Sequence, residues 1–324
     1  MNFQNIPKVE KYDFYLDVAF RRAKEAAEKA GTKVRGSGLR RASVIEAERI
    51  KKAAEILHRH LQSILKSFPM VEELPEFYRE LIRCCVDVDR LRKSLGGVLW
   101  ADGQVKRFFR IYYGKLRNSK DLESLFKHKR GFYGRVSSTI KQIKNELAYL
   151  DEGRRIMRRM PDVKTDIPTI VIAGFPNVGK TTLLRALTGS EPEIASYPFT
   201  TKGLMLGYAG QNGTKIQVID TPGLLDRPLA QRNRIELQAV LALKHLANKV
   251  VFMIDPTETC GYEMEEQLAL LKDIKETFNQ EITVAINKTD LATPEQIANA
   301  KEKLKKYRSI EISADKNKGT KELW

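Results

Sequence analysis

Apolar residues recur every three or four positions through the first half of the chain, which is the spacing of amphipathic helices. The pattern predicts helices over about 12–29, 43–68, 75–95, 99–116 and 136–150. Gly96-Gly97 should close the third of these helices, because glycine commonly ends helices. Long amphipathic helices with short connections imply an antiparallel bundle. We therefore predict an all-α domain over residues 1–160.

From residue 161 onward, short apolar runs alternate with helical segments, which predicts an α/β domain with a mostly parallel sheet. The six strand candidates are 169–173, 203–209, 215–219, 250–254, 282–286 and 310–312. Helices are predicted at 180–189, 233–247, 262–277 and 294–306. Gln211-Asn212-Gly213 is a hairpin signal, so one strand should run antiparallel to the others. We place the domain at 161–324, with the junction between Pro161 and Pro168.

The stretch from Gly174 to Thr181 reads G-x-x-x-x-G-K-T and lies between the first strand and the first helix of this domain. That context is the one a phosphate-binding loop requires. Its backbone N–H groups and the helix N-terminus would cradle phosphates, Lys180 would reach the β- and γ-phosphates, and Thr181 would bind Mg²⁺. The alternative is a strand-to-helix turn without function. The predicted phosphate contacts are Asn177, Val178, Gly179, Lys180, Thr181 and Thr182.

Two further motifs point to a triphosphate with Mg²⁺. Asp220-Thr221-Pro222-Gly223 follows the third strand. There Asp220 should hold Mg²⁺ through water, and the Gly223 N–H should meet the γ-phosphate. A threonine within Tyr197-Pro198-Phe199-Thr200-Thr201 should complete the Mg²⁺ coordination.

The base should be guanine. Asn287-Lys288-Thr289-Asp290 follows the fifth strand, and a carboxylate there can accept both N–H donors on guanine N1 and N2. Adenine offers no such pair, so Asp290 should discriminate strongly. Ser313-Ala314 follows the sixth strand and should support guanine O6 through a backbone N–H. The predicted base-site residues are Asn287, Lys288, Asp290, Ser313 and Ala314, and they disfavour an ATPase.

Charge is distributed unevenly along the chain. Residues 1–160 hold 36 basic and 20 acidic residues, whereas the remainder holds 21 of each, so the whole net charge of +16 lies in the helical half. Such asymmetry favours a polyanionic partner, although a solvated helix surface would also explain it. Two glycine-bearing basic connections, 31–41 and 127–135, are the candidate RNA contacts, with Phe132 and Tyr133 available to stack on bases. Their cations are Lys33, Arg35, Arg40, Arg41, Lys127, Lys129, Arg130 and Arg135.

The three cysteines make no metal-binding or disulfide pattern, which fits a reducing cytoplasm. No apolar run is long enough to predict a membrane span, and the N-terminus lacks the layout of a signal peptide. After Ser313-Ala314 ten residues remain, so we expect the closing helix of the domain to be short or truncated.

With these residues in hand, the chain resembles the Obg-like branch of translation-associated GTPases, and more closely the nucleolar G-protein (Nog) family and its prokaryotic, archaeal-type relatives. The matching stretches are 197–202, 220–228, 232–233 and 235–236, with looser matches at 74–78 and 148–150. The resemblance implies a P-loop GTPase domain and an assembly factor for the large ribosomal subunit. Its helical domain would bind ribosomal RNA, beside other assembly factors, in the cytoplasm or in a eukaryotic nucleolus. By the switch motif of the family, Thr201 is the Mg²⁺ ligand.

Hydrolysis of GTP to GDP should be slow without help, because Leu224 stands where many GTPases place a water-orienting glutamine. A partner could supply a polar group, or the γ-phosphate could accept the proton of the water. Alternatively, K⁺ held partly by Asn177 could neutralise charge, as the asparagine of potassium-activated GTPases suggests. The expected catalytic residues are Lys180, Thr201, Gly223 and Asn177.

A second functional class stays open at this point. The protein would then be a GTPase switch that regulates a protein partner, with the helical bundle as the docking module.

Overall fold

We describe a computed structural model over residues 3–34, 38–197, 203–211, 213–227, 232, 234–278 and 280–324. The chain forms two compact units. The helical unit comprises Gln4–Met70 and Val86–Arg158, and the sheet unit comprises Met1–Phe3, Val71–Cys85 and Arg159–Trp324. A single boundary after residue 160 would group segment 71–85 with the other helices. In the structure this segment belongs to the sheet unit. The predicted boundary itself stays a prediction.

Helices account for most of the first 160 residues, as expected. In chain order they are α1 Tyr12–Lys33, α2 Gly38–Ser67, α3 Glu76–Cys85, α4 Val88–Arg117, α5 Leu122–Gln142 and α6 Lys144–Met157. Within the helical unit, α2 packs against α1 and α4, and α4 packs against α5 and α6. The predicted apolar stripe of α2 lies in this core: Ile50, Leu57 and Leu61 are fully buried.

The expected break at Gly96-Gly97 is wrong, because both glycines lie inside α4 with negative φ. Buried Leu91, Val98 and Val105 continue one apolar face across them. That packing outweighs the cost of roughly 1 kcal/mol for each glycine in a helix interior. The break comes earlier, where the Asp87 side chain accepts the Arg90 N–H at 3.0 Å and caps α4.

Residues 127–135 were expected to form a connection, and this is also wrong, because they lie within α5. Gly131 has a packing role there: a Cβ on it would lie 2.8 Å from the Tyr112 ring, so the residue allows α4 and α5 to approach closely. Phe132 is fully buried. The last predicted helix is divided at Ile143 into α5 and α6, although Ile140 and Leu147 on either side remain in the core.

Within the described residues the sheet has seven strands rather than the predicted six. They are β1 Thr169–Ala173, β2 Glu193–Ala195, β3 Leu204–Gln211, β4 Thr214–Asp220, β5 Lys249–Ile254, β6 Glu281–Ile286 and β7 Arg308–Glu311, arranged in the order β2-β3-β4-β1-β5-β6-β7. The additional strand, β2, has three residues and pairs antiparallel with β3. The predicted hairpin joins β3 to β4, which pair antiparallel from Gln211↔Thr214 to Met205↔Asp220. The pairings among β4, β1, β5, β6 and β7 are parallel, as predicted.

The sheet unit also contains α7 Lys180–Thr188, α8 Arg234–Lys244, α9 Met264–Phe278 and α10 Pro294–Lys303. After β7, Ser313 and Lys318 form an antiparallel bridge, and a short 3₁₀ helix covers Thr320–Leu323. Leu323 is fully buried, and its carbonyl accepts the Lys249 ammonium at 2.9 Å. None of the helices over the described ranges combines the length and the apolar character that a membrane crossing needs.

α3 is part of the sheet unit and packs against α8. Tyr78 on α3 is fully buried, and its hydroxyl lies 3.0 Å from both the N and the O of Val163 and 3.1 Å from the O of Pro161. Phe77 lies beside the buried Tyr197 ring, with centroids 6.5 Å apart. α3 therefore contacts the segment before the predicted Thr201 switch as well as α8.

Candidate nucleotide-binding site

The phosphate loop connects β1 to α7 and is wound as its motif predicts. Asn177 has a left-handed φ of 62° and Gly179 a φ of 101°. A Cβ on Gly179 would lie 2.5 Å from the Asn287 amide nitrogen, so this position requires glycine. Lys180 is buried and donates to the carbonyls of Gly174 and Phe175, each at 2.8 Å. The N-terminus of α7 and this ammonium thus converge on the loop that is predicted to bind phosphates.

Beside the loop lie Thr181 and Asp220, two of the residues that the sequence predicts as Mg²⁺ ligands. The Thr181 hydroxyl donates to Asp220 Oδ2 at 2.6 Å. Asp220 Oδ1 is buried and has no hydrogen-bond partner among the described residues. Burial raises the pKa of the Asp220 carboxyl. A buried carboxylate with an unused oxygen next to a hydroxyl fits Mg²⁺, which prefers hard oxygen ligands.

Gly223 lies in the loop that follows β4. Its N–H donates to Asp226 Oδ2 at 2.7 Å, and its carbonyl accepts from Arg232 Nη1 at 3.1 Å. The same loop reaches the phosphate loop, because the Gly174 N–H donates to the Leu225 carbonyl at 3.0 Å. The other predicted switch residue, Thr201, lies outside the described residues.

On the base side, Asn287 joins two of the predicted loops. Its amide nitrogen donates to the Val178 carbonyl at 2.8 Å, and its amide oxygen accepts the Ala314 N–H at 2.9 Å. The N–H expected to support guanine O6 is therefore already hydrogen-bonded in this structure. Asp290 is exposed at the mouth of the site, and a hydrogen bond with Ser313 lowers its pKa. The predicted base-site residues thus lie at the carboxyl ends of β6 and β7, where ligands bind in this architecture.

Three residues of the site were missed from the sequence: Asp226, Arg232 and Asp255. Asp255 is fully buried after β5, and its carboxylate lies 2.7 Å from the Lys288 ammonium. It also accepts the N–H groups of Thr257 and Cys260. Its position directly after an apolar strand was the available signal, since such positions line the ligand edge of a parallel sheet.

The predicted RNA contacts belong to helices, apart from Arg35, which lies outside the described residues. Lys33 ends α1, Arg40 and Arg41 lie in the first turns of α2, and Lys127, Lys129, Arg130 and Arg135 lie on α5. All of the described candidates are exposed except the partly buried Lys129. The Lys129 ammonium pairs with the buried Glu46 carboxylate at 3.0 Å.

Phe132 and Tyr133, the two aromatic residues expected to stack on bases, are both packed within the helical unit. Phe132 is in the core and cannot stack on a base without unfolding α5. Tyr133 packs against Phe20 with ring centroids 4.4 Å apart, and burial raises its pKa to about 12.

Comparison with known proteins identifies the family. The model described as NOG1 N-terminal helical domain matches residues 3–164, and the model described as Nucleolar GTP-binding protein 1 (NOG1) matches residues 234–290. An uncharacterised Methanocaldococcus jannaschii protein is 43% identical over 91% of this chain and 83% of its own length.

More distant relatives include longer proteins. Nucleolar GTP-binding protein 1 of Candida glabrata is 33% identical over 94% of this chain and 47% of its own length, so the chain spans about half of that relative. Among solved structures, the G domain of T. maritima FeoB is 29% identical, covering 48% of this chain and 94% of that chain. Its TM-score of 0.40 is too low to support an inference. The resemblance to the Nog family is confirmed: the chain belongs to the nucleolar GTP-binding protein 1 (NOG1) family.

Proposed function

We propose that the protein binds GTP with Mg²⁺ and hydrolyses it to GDP and phosphate. The observation that carries this proposal is the arrangement around the phosphate loop, where Thr181 is bonded to Asp220 and Asn287 ties the loop to Ala314. The exposed Asp290 carboxylate supplies the guanine-specific acceptor. The name of the eukaryotic relatives, nucleolar GTP-binding protein, supports the same activity.

Each residue has a defined task in this proposal. Lys180 exchanges its two carbonyl partners for phosphate oxygens, and the Gly223 N–H donates to the γ-phosphate. Thr181, Thr201 and Asp220 would hold Mg²⁺, with Asp220 acting through water. Mg²⁺ would supply positive charge that offsets the charge of the phosphates. Leu224 is buried and cannot orient water, so we expect slow turnover without a partner.

Calorimetry tests the binding step. Titration with GTP, GDP and ATP in the presence of Mg²⁺ should give heats of binding for the two guanine nucleotides and none for ATP. Phosphate release, measured separately, tests hydrolysis. Equal binding of ATP would contradict the assignment of the base site.

Potassium is the proposed second cation. Asn177 is exposed at the left-handed bend of the loop between β1 and α7, and its side chain would be accessible to a cation beside the phosphates of GTP. We expect turnover to rise severalfold in KCl over NaCl at matched ionic strength. Equal rates in the two salts would remove K⁺ from the mechanism.

We further propose that the protein acts in assembly of the large ribosomal subunit and that its helical unit binds ribosomal RNA. The basic excess of the first 160 residues and the nucleolar relatives support this role. Exposed Lys127, Arg130 and Arg135 on α5 offer phosphate contacts. The site of action would be the cytoplasm of a prokaryote or the nucleolus of a eukaryote.

The alternative, a protein-docking helical unit, makes a different prediction about salt. RNA binding through six or more phosphates should weaken about a thousandfold between 50 and 200 mM salt. A mainly apolar protein interface would change little. Crosslinking of the tagged protein in cells, followed by sequencing of bound RNA, would identify the target.

A further inference from the structure

We propose that Arg232, together with the Gly223 N–H, forms the γ-phosphate site, and that the Asp226 carboxylate occupies this site until GTP displaces it. This inference rests on the proposed GTPase function. It adds a catalytic arginine and a resident anion, which the nucleotide motifs did not predict.

The Asp226 carboxylate lies where the γ-phosphate of GTP is expected to bind. The N–H that should donate to the γ-phosphate donates instead to Asp226 Oδ2 at 2.7 Å. The Arg232 guanidinium holds the other side of the same residue, with Nη1 3.1 Å from the Gly223 carbonyl. Its Nη2 lies 3.7 Å from Asp226 Oδ1. A carboxylate therefore rests between an N–H donor and a cation, which is the environment that a phosphate oxygen would need.

Arg232 has unused hydrogen-bonding capacity. Its side chain is 1% exposed, yet Nε and Nη2 have no hydrogen-bond acceptor among the described residues. The contact of Nη2 with Asp226 is long enough to be an ion pair without a hydrogen bond. Buried donors without acceptors are costly, and guanidinium suits phosphate because it can bind two oxygens at once. These two N–H groups are thus available for a phosphate beside Gly223.

Arrival of GTP brings the γ-phosphate and the Asp226 carboxylate into competition. Both are negatively charged, so they cannot share the Gly223 N–H and the Arg232 cation without repulsion. Displacement of Asp226 frees both donors for the γ-phosphate. GDP has no γ-phosphate and leaves Asp226 in place, so the exchange distinguishes the two nucleotides.

The chemical step then balances without another reagent. The water oxygen forms a bond to the γ-phosphorus, and the bond from that phosphorus to the β–γ bridging oxygen breaks, leaving its electron pair on GDP. The proton of the water passes to a γ-phosphate oxygen, which gives inorganic phosphate. Arg232 stabilises the charge on the transferring group, a task that an arginine of the same chain performs in some GTPases. This stabilisation would partly replace the rate enhancement that is lost because Leu224 cannot orient the attacking water.

The test uses the full chain and compares Arg232→Ala with Asp226→Asn. Arg232→Ala should lower kcat by about a hundredfold or more and weaken the binding of a non-hydrolysable GTP analogue. Its affinity for GDP should stay within about twofold of that of the unaltered protein. It should also abolish the response of bound fluorescent GDP to aluminium fluoride, which mimics the transferring phosphoryl group. Asp226→Asn should act in the opposite direction on binding, raising the preference for the GTP analogue over GDP severalfold.

Arg227→Ala is the matched control. Arg227 lies in the same loop but pairs with Glu236 at 3.2 Å and is partly exposed. It should leave kcat and nucleotide preference unchanged. Unchanged GDP affinity in Arg232→Ala shows that the site is still folded.

Two results would overturn this inference. One is wild-type kcat and a wild-type aluminium fluoride response in Arg232→Ala. The other is a shift of nucleotide preference in the same direction in both variants, as a purely structural role would produce. If the unaltered protein binds neither GTP nor GDP, the proposed function itself fails, and that outcome is distinct from both.

Discussion

Burial of the Asp220 carboxyl carries an electrostatic cost. Its Oδ2 accepts from Thr181, but its Oδ1 is buried without a partner among the described residues, and burial raises its pKa. A buried polar atom left without a hydrogen bond costs about 1–3 kcal/mol. The same oxygen is the one that Mg²⁺ or its bound water would use, so stability and function make opposite demands on this residue.

We predict that Asp220→Asn raises the free energy of unfolding of the nucleotide-free protein by roughly 1 kcal/mol at neutral pH, because a neutral amide is less costly to bury. The same variant should lose Mg²⁺-dependent GTP affinity. Urea unfolding without metal and nucleotide titration with metal measure the two effects. A variant that is both less stable and normal in GTP binding would contradict the assignment.

The raised pKa of Asp220 also leads us to predict that the folding stability of the protein depends on pH. The folded state holds the Asp220 proton more tightly than the unfolded state does, because the folded pKa is raised. Stability from this group should therefore fall as pH rises from the ordinary carboxyl range through the raised pKa. Asp220→Asn should flatten that part of the stability profile, whereas a substitution at exposed Asp315 should not.

The proposed role of Asp290 in base choice can be tested by changing one exocyclic group of the base. Xanthine has a carbonyl where guanine has its exocyclic amine, so Asp290→Asn should favour XTP over GTP. We expect at least a hundredfold change in the ratio of the two affinities, because each mismatch leaves a polar group unpaired. Competition with fluorescent GDP provides the measurement. Full GTP affinity in the variant would show that Asp290 does not contact the base.

The residues proposed to bind the nucleotide could be selected from the sequence because their motifs are local. Gly179, Lys180 and Thr181 belong to one backbone turn that they themselves form. Arg232 and Asp226 could not be predicted in the same way, because their relation to Gly223 depends on how the loop folds back on itself. Asp255 similarly depends on β5 and β6 being neighbours in the sheet.

For the helices, too, the sequence predicts features that depend on local spacing and does not predict those that depend on tertiary packing. The apolar stripe of α2 was read correctly from its spacing. The glycines of α4 misled the prediction because the cost of a glycine is small beside the burial of a continuous apolar face. Nothing in the periodicity of 76–85 indicates that α3 packs with α8 in the sheet unit, because a helical stripe identifies a buried face but not its partner.

The Tyr78 hydroxyl is the clearest polar anchor of α3 in the sheet unit. Tyr78→Phe should lower the free energy of unfolding by about 1–3 kcal/mol, since the buried Val163 N–H would lose its acceptor. Urea unfolding would measure the change. Tyr113→Phe is the control, because that ring is only partly buried. Equal effects of the two substitutions would show that the Tyr78 hydroxyl bonds contribute nothing specific.

At the scale of the whole molecule, the two units do not follow the order of the sequence, because α3 lies between helices of one unit and belongs to the other. A fragment of residues 161–324 would contain β1 to β7 and the predicted nucleotide motifs, yet it would lack α3. The surface that α3 buries with Phe77, Tyr78 and Leu81 would then face water. Domain prediction from composition could not anticipate this, because 71–85 has the character of the helices around it.

We predict that the 161–324 fragment melts at least several degrees below the same fragment mixed with a peptide of residues 71–85. Apolar surface left exposed by the missing helix is the cause. A peptide in which Phe77 and Leu81 are replaced by Ser is the matched control and should not restore stability. If the fragment alone melts at the temperature of the peptide mixture, α3 is dispensable for this unit.

α3 is joined to the helical unit at both ends, by Met70-Val71 on one side and by Cys85-Val86 on the other. Two residues separate α3 from α4. The connection between α3 and α4 therefore offers few rotatable bonds that could absorb a change in the position of α3.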